Sequence, residues 1–575
     1  MRVTRDLARS PLFQLHPEGL SMEERVHVTY ERAKRIAEVY NFTAKDLLTL
    51  SPKFWEFHTD PIWSMDGAAG TLLTLQYNCC AGTLAMFSAK RADLREVLQE
   101  VLDFKVSGQF CLTEVGHGLD VIHLETTATL LESGDFELHT PYERAAKYMP
   151  PTAPAGIPCV AIVFARVLVH NEDRGVKAFF MRLHDGFNMA PGVVCKLLPQ
   201  RGGSRPVNHS LTYFHYVRLP RSALLGSLDK PEDPRAAFFH NISRVAVGTI
   251  AIGSLGIPAL QMSSFIAARY SQRRTIVNSA GERKPIIEFW TQKAPIVTAV
   301  ARAFVMKAMH DKAVSLFLDP SLDYRVRHAI ASILKVVMIQ HAQEAHLTLS
   351  ERCGAQGLFE VNQLNAMHAD MRGTAIAEGD LLGISVRLAT ELLLGRYEIP
   401  HTSDENSLLY KHEAGMFAEL REHLHEIKNH RSVAYDRLVL PDSVPLVQAI
   451  GHRIAYDAAV AAGVDACLVD LYVATCIKLD PAWYLEELGI NRTAQKDMES
   501  SAIDAVYQRL EEYLEKMDVE SYVSAPLISD TAWNDYVRSL ETFGDSTANV
   551  SKCHVPCSAG IVAKASFLPQ NSLHV

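Results

Sequence analysis

One acid whose setting could support chemistry is Glu378. It stands in Ala377-Glu378-Gly379-Asp380, directly ahead of the apolar run LLGISVRLATELLL at residues 381–394. A carboxylate among apolar side chains is desolvated, so its pKa rises. It can then take a proton from a carbon made acidic by a neighbouring carbonyl. The commoner role of an acid at such a point is electrostatic, because the positive end of a helix dipole favours it. Two glycine-rich segments supply backbone able to approach a ligand closely: Cys111-Leu112-Thr113-Glu114-Val115-Gly116-His117-Gly118 and Arg352-Cys353-Gly354-Ala355-Gln356-Gly357. Arg269 and Arg273 are four residues apart and so share a helix face. Their guanidinium groups suit either a diphosphate or simple solvation at a helix end. Cys553 and Cys557 flank His554, but no second Cys/His cluster completes a metal set.

These residues need elements to hold them. Residues 22–40 and 94–101 carry helical spacing of apolar side chains, so the first hundred residues read as helix. From Gln109 to Leu225 the texture is strands and turns. Residues 126–131 and 136–139 flank a Glu-Ser-Gly-Asp turn, and 159–169 (CVAIVFARVLV), 176–183 and 211–219 are strand-like. Helices are then expected over 236–270, 286–315, 325–352 and 381–397. A polar linker spans 398–407, and further helices cover 408–429, 444–462, 466–479 and 494–517. Ten cysteines, mostly in apolar contexts, fit an intracellular protein. A net charge of -9 offers no basic footprint for nucleic acid. The most apolar stretch, 245–262, contains Gly248, Gly253, Gly256 and Pro258 and reads as a core helix, not a membrane span. The amino-terminal residues lack the apolar run of a secretory signal.

Four segments together resemble the acyl-CoA oxidases, within the acyl-CoA oxidase/dehydrogenase superfamily. Thr113-Glu114-Val115-Gly116-His117-Gly118, followed by Glu125-Thr126-Thr127-Ala128, resembles the flavin-facing segment of that family. Arg269-Tyr270-Ser271, Arg273-Arg274 and Glu288-Phe289-Trp290-Thr291-Gln292 resemble a segment that reaches the FAD of a neighbouring subunit. Arg352–Gly357 resembles the family's Cys-Gly-Gly-His-Gly, and Glu378 falls where the family has its catalytic glutamate. Residues 468–487 and 494–528 resemble the second helical domain of the oxidases.

The resemblance implies an α+β, acyl-CoA dehydrogenase-like fold. Its expected parts are an N-terminal helical domain (1–108), a central β-barrel-like domain (109–228), a C-terminal helical bundle with the base (229–400), a second oxidase-type helical domain (401–545) and an irregular tail (546–575). It implies FAD as cofactor, an acyl-CoA substrate, O2 as oxidant and a homodimer. The flavin would be held by Thr113, Gly116, Gly118, Pro151, Thr152, Arg273, Gln292, Gly354 and Gly357, with Glu378 as base. A dehydrogenase using another acceptor, or a non-catalytic acyl-CoA-binding relative, are the alternatives.

The chain also departs from the pattern. Tyr148-Met149-Pro150-Pro151-Thr152 stands where the family has Trp-Pro-Gly-Gly, and a proline there removes a backbone N–H. If that N–H meets the flavin, the contact is lost or passes to Thr152. Ala377, Leu358, Leu381 and Leu382 also differ, which implies an altered acyl pocket. The ending Ser572-Leu573-His574-Val575 is not a Ser-Lys-Leu type address, so the expected compartment is peroxisomal or cytoplasmic. That ending fits a specialised, biosynthetic member.

Overall fold

Ser21 starts the first long helix, Met22–Tyr40. Its side chain accepts from the Glu24 N–H while the Glu24 carboxylate accepts from the Ser21 N–H, and Asn41 ends the helix in a left-handed conformation. This is the computed structural model of the chain. It describes residues 2–543 apart from Lys90, Gly203, Ser204, Asn278 and Lys428. The expected irregular tail and the Cys553, His554 and Cys557 group therefore lie outside the described residues.

Shorter helices follow, and the run from Gly67 to Ser88 contains a π-helical stretch, Leu75–Ala81. Such stretches mark places where one side chain is re-aimed, often at a functional site.

The chain turns to strand at Ser107. A seven-stranded sheet is built on the long hairpin β5 (Cys159–Val169) and β6 (Glu172–His184), with path β10-β6-β5-β2-β3-β9. Here β2 is Thr127–Leu130, β3 Phe136–His139, β9 Val217–Leu219 and β10 Leu224–Leu225. Strand β1 (Ser107–Cys111) and β2 both pair parallel with β5. Ser107 stands opposite Cys159 and Thr127 opposite Arg166. They lie end to end along one edge of β5, so the segment between them must leave the sheet and return. That excursion is the Thr-Glu-x-Gly-His-Gly segment. A second, three-stranded sheet has the order β4-β8-β7, with β4 Lys147–Tyr148, β7 Val193–Leu197 and β8 Ser210–Phe214.

Alternation along β5 explains its apolar sequence. Val160, Ile162 and Phe164 join the main core, while Ala161, Val163 and Ala165 join a second core with Phe136, Leu138 and Phe179. Both faces are covered, so both registers are apolar. The expected single strand over 211–219 is two strands. The chain changes sheet at Tyr216, which has φ +50°.

The helix expected over 236–270 is three: Pro234–Asn241, Ser243–Ser254 and Gly256–Arg273. The last two form a 31-residue apolar stretch whose most apolar window is 83% buried, as a core helix is. They pack against Trp290–Leu318 and Tyr324–Arg352. Close approach depends on small residues. A Cβ on Gly253 would lie 3.1 Å from Lys335 Cα, and one on Gly256 3.1 Å from Met338 Sδ. The helices Ser443–Ala461 and Ala466–Ile477 share this core through Leu446, Ile450 and Leu471. The stretch expected as one helix over 494–517 breaks at Gln508–Arg509 into Arg492–Tyr507 and Leu510–Met517.

Candidate active site

Glu378 lies in the turn between the helices Leu364–Ile376 and Leu381–Leu393. Asp380 is the N-cap, its carboxylate accepting from the Gly383 N–H at 2.9 Å, so Glu378 stands ahead of the helix and not in its first turn. The backbone is left-handed at both Glu378 (φ +55°) and Gly379 (φ +100°). A left-handed glutamate is uncommon and needs support from its surroundings.

That support comes from two helices. Lys335 of the helix Tyr324–Arg352 donates to the carbonyl oxygens of Ala377 and Gly379, on either side of Glu378. The Thr249 hydroxyl of the helix Ser243–Ser254 lies 3.0 Å from the Glu378 carbonyl oxygen and also 3.0 Å from Val245 O, and donates between them. The Glu378 side chain presses on Gly248: a Cβ there would stand 2.5 Å from Oε1, which only glycine avoids. The Cys79 thiol, from the π-helical stretch, donates to Glu378 Oε1 at 3.4 Å. Arg244 secures this wall. Its guanidinium donates to Asn78 O at 2.8 Å and Leu47 O at 3.1 Å, and Asn78 Nδ2 donates back to Arg244 O at 3.0 Å.

Although the residue keeps partial exposure, the Glu378 carboxyl is desolvated. Burial pushes its pKa up from 4.5 to about 7, against the downward pull of the Cys79 thiol, Lys335 and Arg244. Burial likewise brings Lys335 down to about 8, with Glu378 and Asp380 opposing, and Arg244 to about 10. The site thus holds a carboxyl that ionises near neutrality beside a cation, which is what a base for a weak carbon acid requires.

The excursion between β1 and β2 is tied at its ends by Glu114. This fully buried carboxylate accepts from the Glu125 N–H at 2.7 Å and the Thr126 N–H at 2.9 Å, and pairs with fully buried Lys147 at 2.9 Å. The two sequence pieces at 113–118 and 125–128 therefore belong to one structural unit. Thr113 O accepts from the Tyr148 N–H at 2.9 Å, and the Gly116 N–H donates to Arg144 O at 2.8 Å. Gly118 faces open space. Leu119 reaches the helix after Glu378, where a Cβ on Gly383 would lie 3.1 Å from it.

Pro151 and Thr152 are buried below this segment. The Thr152 hydroxyl pairs with the Thr212 hydroxyl at 2.6 Å, and its N–H donates to Pro150 O at 2.9 Å. The Thr152 N–H is therefore taken up within the turn.

Arg273, Gln292, Gly354 and Gly357 form a second group, at one end of the helical bundle. Gln292 Nε2 donates to Ser271 Oγ at 2.8 Å and Arg352 O at 2.9 Å. Arg273 pairs with Asp530 at 2.6 Å and donates to Leu527 O at 2.5 Å. Gly354 is left-handed at φ +60°, and Gly357 packs on Ser350 O too closely for any side chain. Lys335 and Arg352 are seventeen residues apart on one helix, so this group lies roughly 25 Å from Glu378 at 1.5 Å per residue. Within one chain the structure does not bring the two groups together.

The residues present fit a flavin dinucleotide in part. Gln356 Oε1 is buried with no hydrogen-bond partner among the described residues, so it is available to an N–H of a ligand. Gly118 and Gly354 leave open backbone, while Pro151 has no N–H and the Thr152 N–H is taken up by Pro150 O.

Sequence reasoning missed Cys79, Arg244, Gly248, Thr249 and Lys335. Only Lys335 carried a signal, as the sole charge in the apolar run ASILKVVMI at residues 331–339.

A seven-stranded sheet between helical segments, with a desolvated carboxyl at the head of one helix and further helices beyond it, sets the class of fold. Residues 250–393 match the acyl-CoA oxidase C-alpha1 domain. The chain is 27% identical over 425 residues to the human peroxisomal acyl-coenzyme A oxidase 3, covering 68% of this chain and 59% of that protein. It is 26% identical over 427 residues to the Caenorhabditis elegans acyl-coenzyme A oxidase acox-3, covering 68% of this chain and 62% of that one. The chain therefore spans about 60% of the length of these relatives. The fold matches that of acyl-CoA oxidase 1 from Yarrowia lipolytica with a TM-score of 0.80 at 16% identity, over 100% of this chain and 93% of that one. It also matches a Caenorhabditis elegans acyl-CoA oxidase-2 bound with FAD, ascaroside-CoA and ATP, with a TM-score of 0.79 at 16% identity, over 98% and 93%. The chain has the acyl-CoA oxidase fold, and its sequence is similar to those of acyl-CoA oxidases.

Proposed function

We propose that this chain binds FAD and removes two hydrogens from an acyl-CoA thioester, giving the trans-2-enoyl-CoA, with Glu378 as the base. The observation that carries this is the Glu378 carboxyl itself, buried against Gly248 and raised to about 7. A carboxylate with that pKa is matched to removing a proton from the carbon next to a thioester carbonyl. As the proton leaves, charge builds on the thioester oxygen and needs a donor. Among the described residues the Glu378 N–H makes no hydrogen bond within the protein, which leaves it available for that oxygen. FAD, when bound, supplies the acceptor for the hydride of the β carbon and passes the two electrons to O2, giving hydrogen peroxide. Thr113, Gly116 and Gly118 would face its ring from the β segment. Gly354, Gln356 and Gly357, with Arg273 and Gln292, would hold the remote part. Because these groups are far apart within one chain, a homodimer in which each copy completes the other's site is part of the proposal. Peroxisomal residence, carried over from the names of relatives, is too.

The test is a visible spectrum of the purified protein, followed by anaerobic titration with a panel of acyl-CoAs. Flavin bands that bleach on addition support the reading, and peroxide on readmitting air separates an oxidase from a dehydrogenase with another acceptor. The missing N–H of Pro151 and the occupied N–H of Thr152 favour one second reading, a non-catalytic acyl-CoA-binding relative. Protein that stays colourless after FAD is added, yet binds acyl-CoA, would establish that reading instead.

A further inference from the structure

We propose that Lys335 is a positioning residue for the reaction, an ammonium clamp that fixes the backbone of the base so that the Glu378 N–H faces the thioester oxygen. The inference rests on the function proposed above. Lys335 is fully buried in the middle of the helix Tyr324–Arg352, where a lysine needs a reason to be. Its partners are two carbonyl oxygens, those of Ala377 and Gly379. These bracket the one residue whose backbone is both left-handed and required for chemistry.

The geometry follows from peptide planarity. In a trans peptide the C=O of Ala377 and the N–H of Glu378 point in opposite directions. With that carbonyl bound by Lys335, the N–H must point away from the helix that carries Lys335. The next carbonyl, that of Glu378, is held by Thr249 from the other helix, and the third, that of Gly379, returns to Lys335. Three successive carbonyls are thus pinned, and the peptide between Ala377 and Glu378 cannot rotate without breaking a charge-assisted hydrogen bond. The approach of the two helices that makes this possible depends on Gly253, where a Cβ would stand 3.1 Å from Lys335 Cα. The same ammonium offsets the negative charge of Glu378 when it ionises, so one residue orients the donor and tolerates the base.

The test compares Lys335→Met and Thr249→Val with wild type, using two probes. A 3-oxoacyl-CoA presents an enolisable carbonyl oxygen, and an S-alkyl-CoA thioether has none. Lys335→Met is expected to weaken the 3-oxoacyl-CoA by about tenfold or more while leaving the thioether within about twofold. Turnover should fall by about 100-fold with little change in KM, the pattern of a lost transition-state donor. Thr249→Val should move the same readouts in the same direction by less, and Thr249→Ser should restore them. Thr249→Val keeps the proposal testable if the lysine variant does not fold. A folded Lys335→Met with unchanged discrimination between the probes, or a Thr249→Val that weakens both probes equally, would overturn the clamp. Wild type that binds neither probe would overturn the proposed function, and the clamp with it.

Discussion

Replacing Glu378 by glutamine should stabilise the protein at high pH while it abolishes turnover. The carboxyl has a pKa of about 7 in the folded chain against 4.5 for the free side chain. Between those values the unfolded chain has released its proton while the folded one still holds it. Stability therefore falls as pH rises from 4.5 to 7, and the whole penalty remains above 7. A rise from 4.5 to about 7 corresponds to about 3 kcal/mol. Partial solvent access at the residue screens some of this, leaving about 2 kcal/mol. Glutamine has the same shape, keeps contact with Gly248 and carries no charge to bury. The assay is the melting temperature of both proteins at pH 5 and pH 8. Glu378→Gln should melt about 1–2 °C higher than its parent at pH 8 and level with it at pH 5. The buried histidines are common to both proteins, so their titration cancels in the difference. An equal offset at both pH values, or a lower melting temperature for the variant at pH 8, would refute the claim that the carboxyl is buried at a cost. Measurable turnover in the variant would refute its role as base.

Three further outcomes are expected. Gly248→Ala would put a methyl group against the Glu378 carboxyl, so activity should fall by about tenfold or more with folding retained, as circular dichroism and steady-state kinetics would show. Lys147→Met leaves Glu114 buried without its cation and should cost about 3–5 kcal/mol, read as a large drop in melting temperature that Glu114→Gln partly restores. Burial lowers His58 and His452 to about 3 and His328 and His346 to about 4. Below pH 6.5 the unfolded chain takes up protons these residues refuse, so stability should fall steeply toward pH 4, at up to about 1.4 kcal/mol per pH unit for each. His452→Gln should flatten that loss in a pH series of melting curves, and an unchanged slope would exclude His452 as a contributor.

What could be read from the sequence divides along physical lines. The strand Cys159–Val169 was legible to the residue because two buried faces make every position but Arg166 apolar, and β-branched residues are frequent among them. Breaks at Ile242 and Gln508 were not, because neither carries proline or glycine, and packing against neighbouring helices decides them. The tie between residues 113–118 and 125–128 was visible as spacing, but its cause, one carboxylate accepting two N–H groups across the excursion, exists only in three dimensions. Glu378 was singled out through its neighbours in sequence. Its backbone conformation was less legible, since a glutamate before glycine gives no sign of which of the two is left-handed, and here both are. The residues that hold Glu378 in place come from three other places in the chain: Cys79 from a π-helical stretch, Gly248 and Thr249 from one core helix, Lys335 from another. Apart from Lys335, the sole charge in its apolar run, each has an ordinary local context and becomes informative only when the helices cross. The chemistry of this site is therefore a property of helix packing around one left-handed turn. Substitutions at Gly248, Gly253 or Lys335 should change the reaction more than those in the sequence on either side of the base.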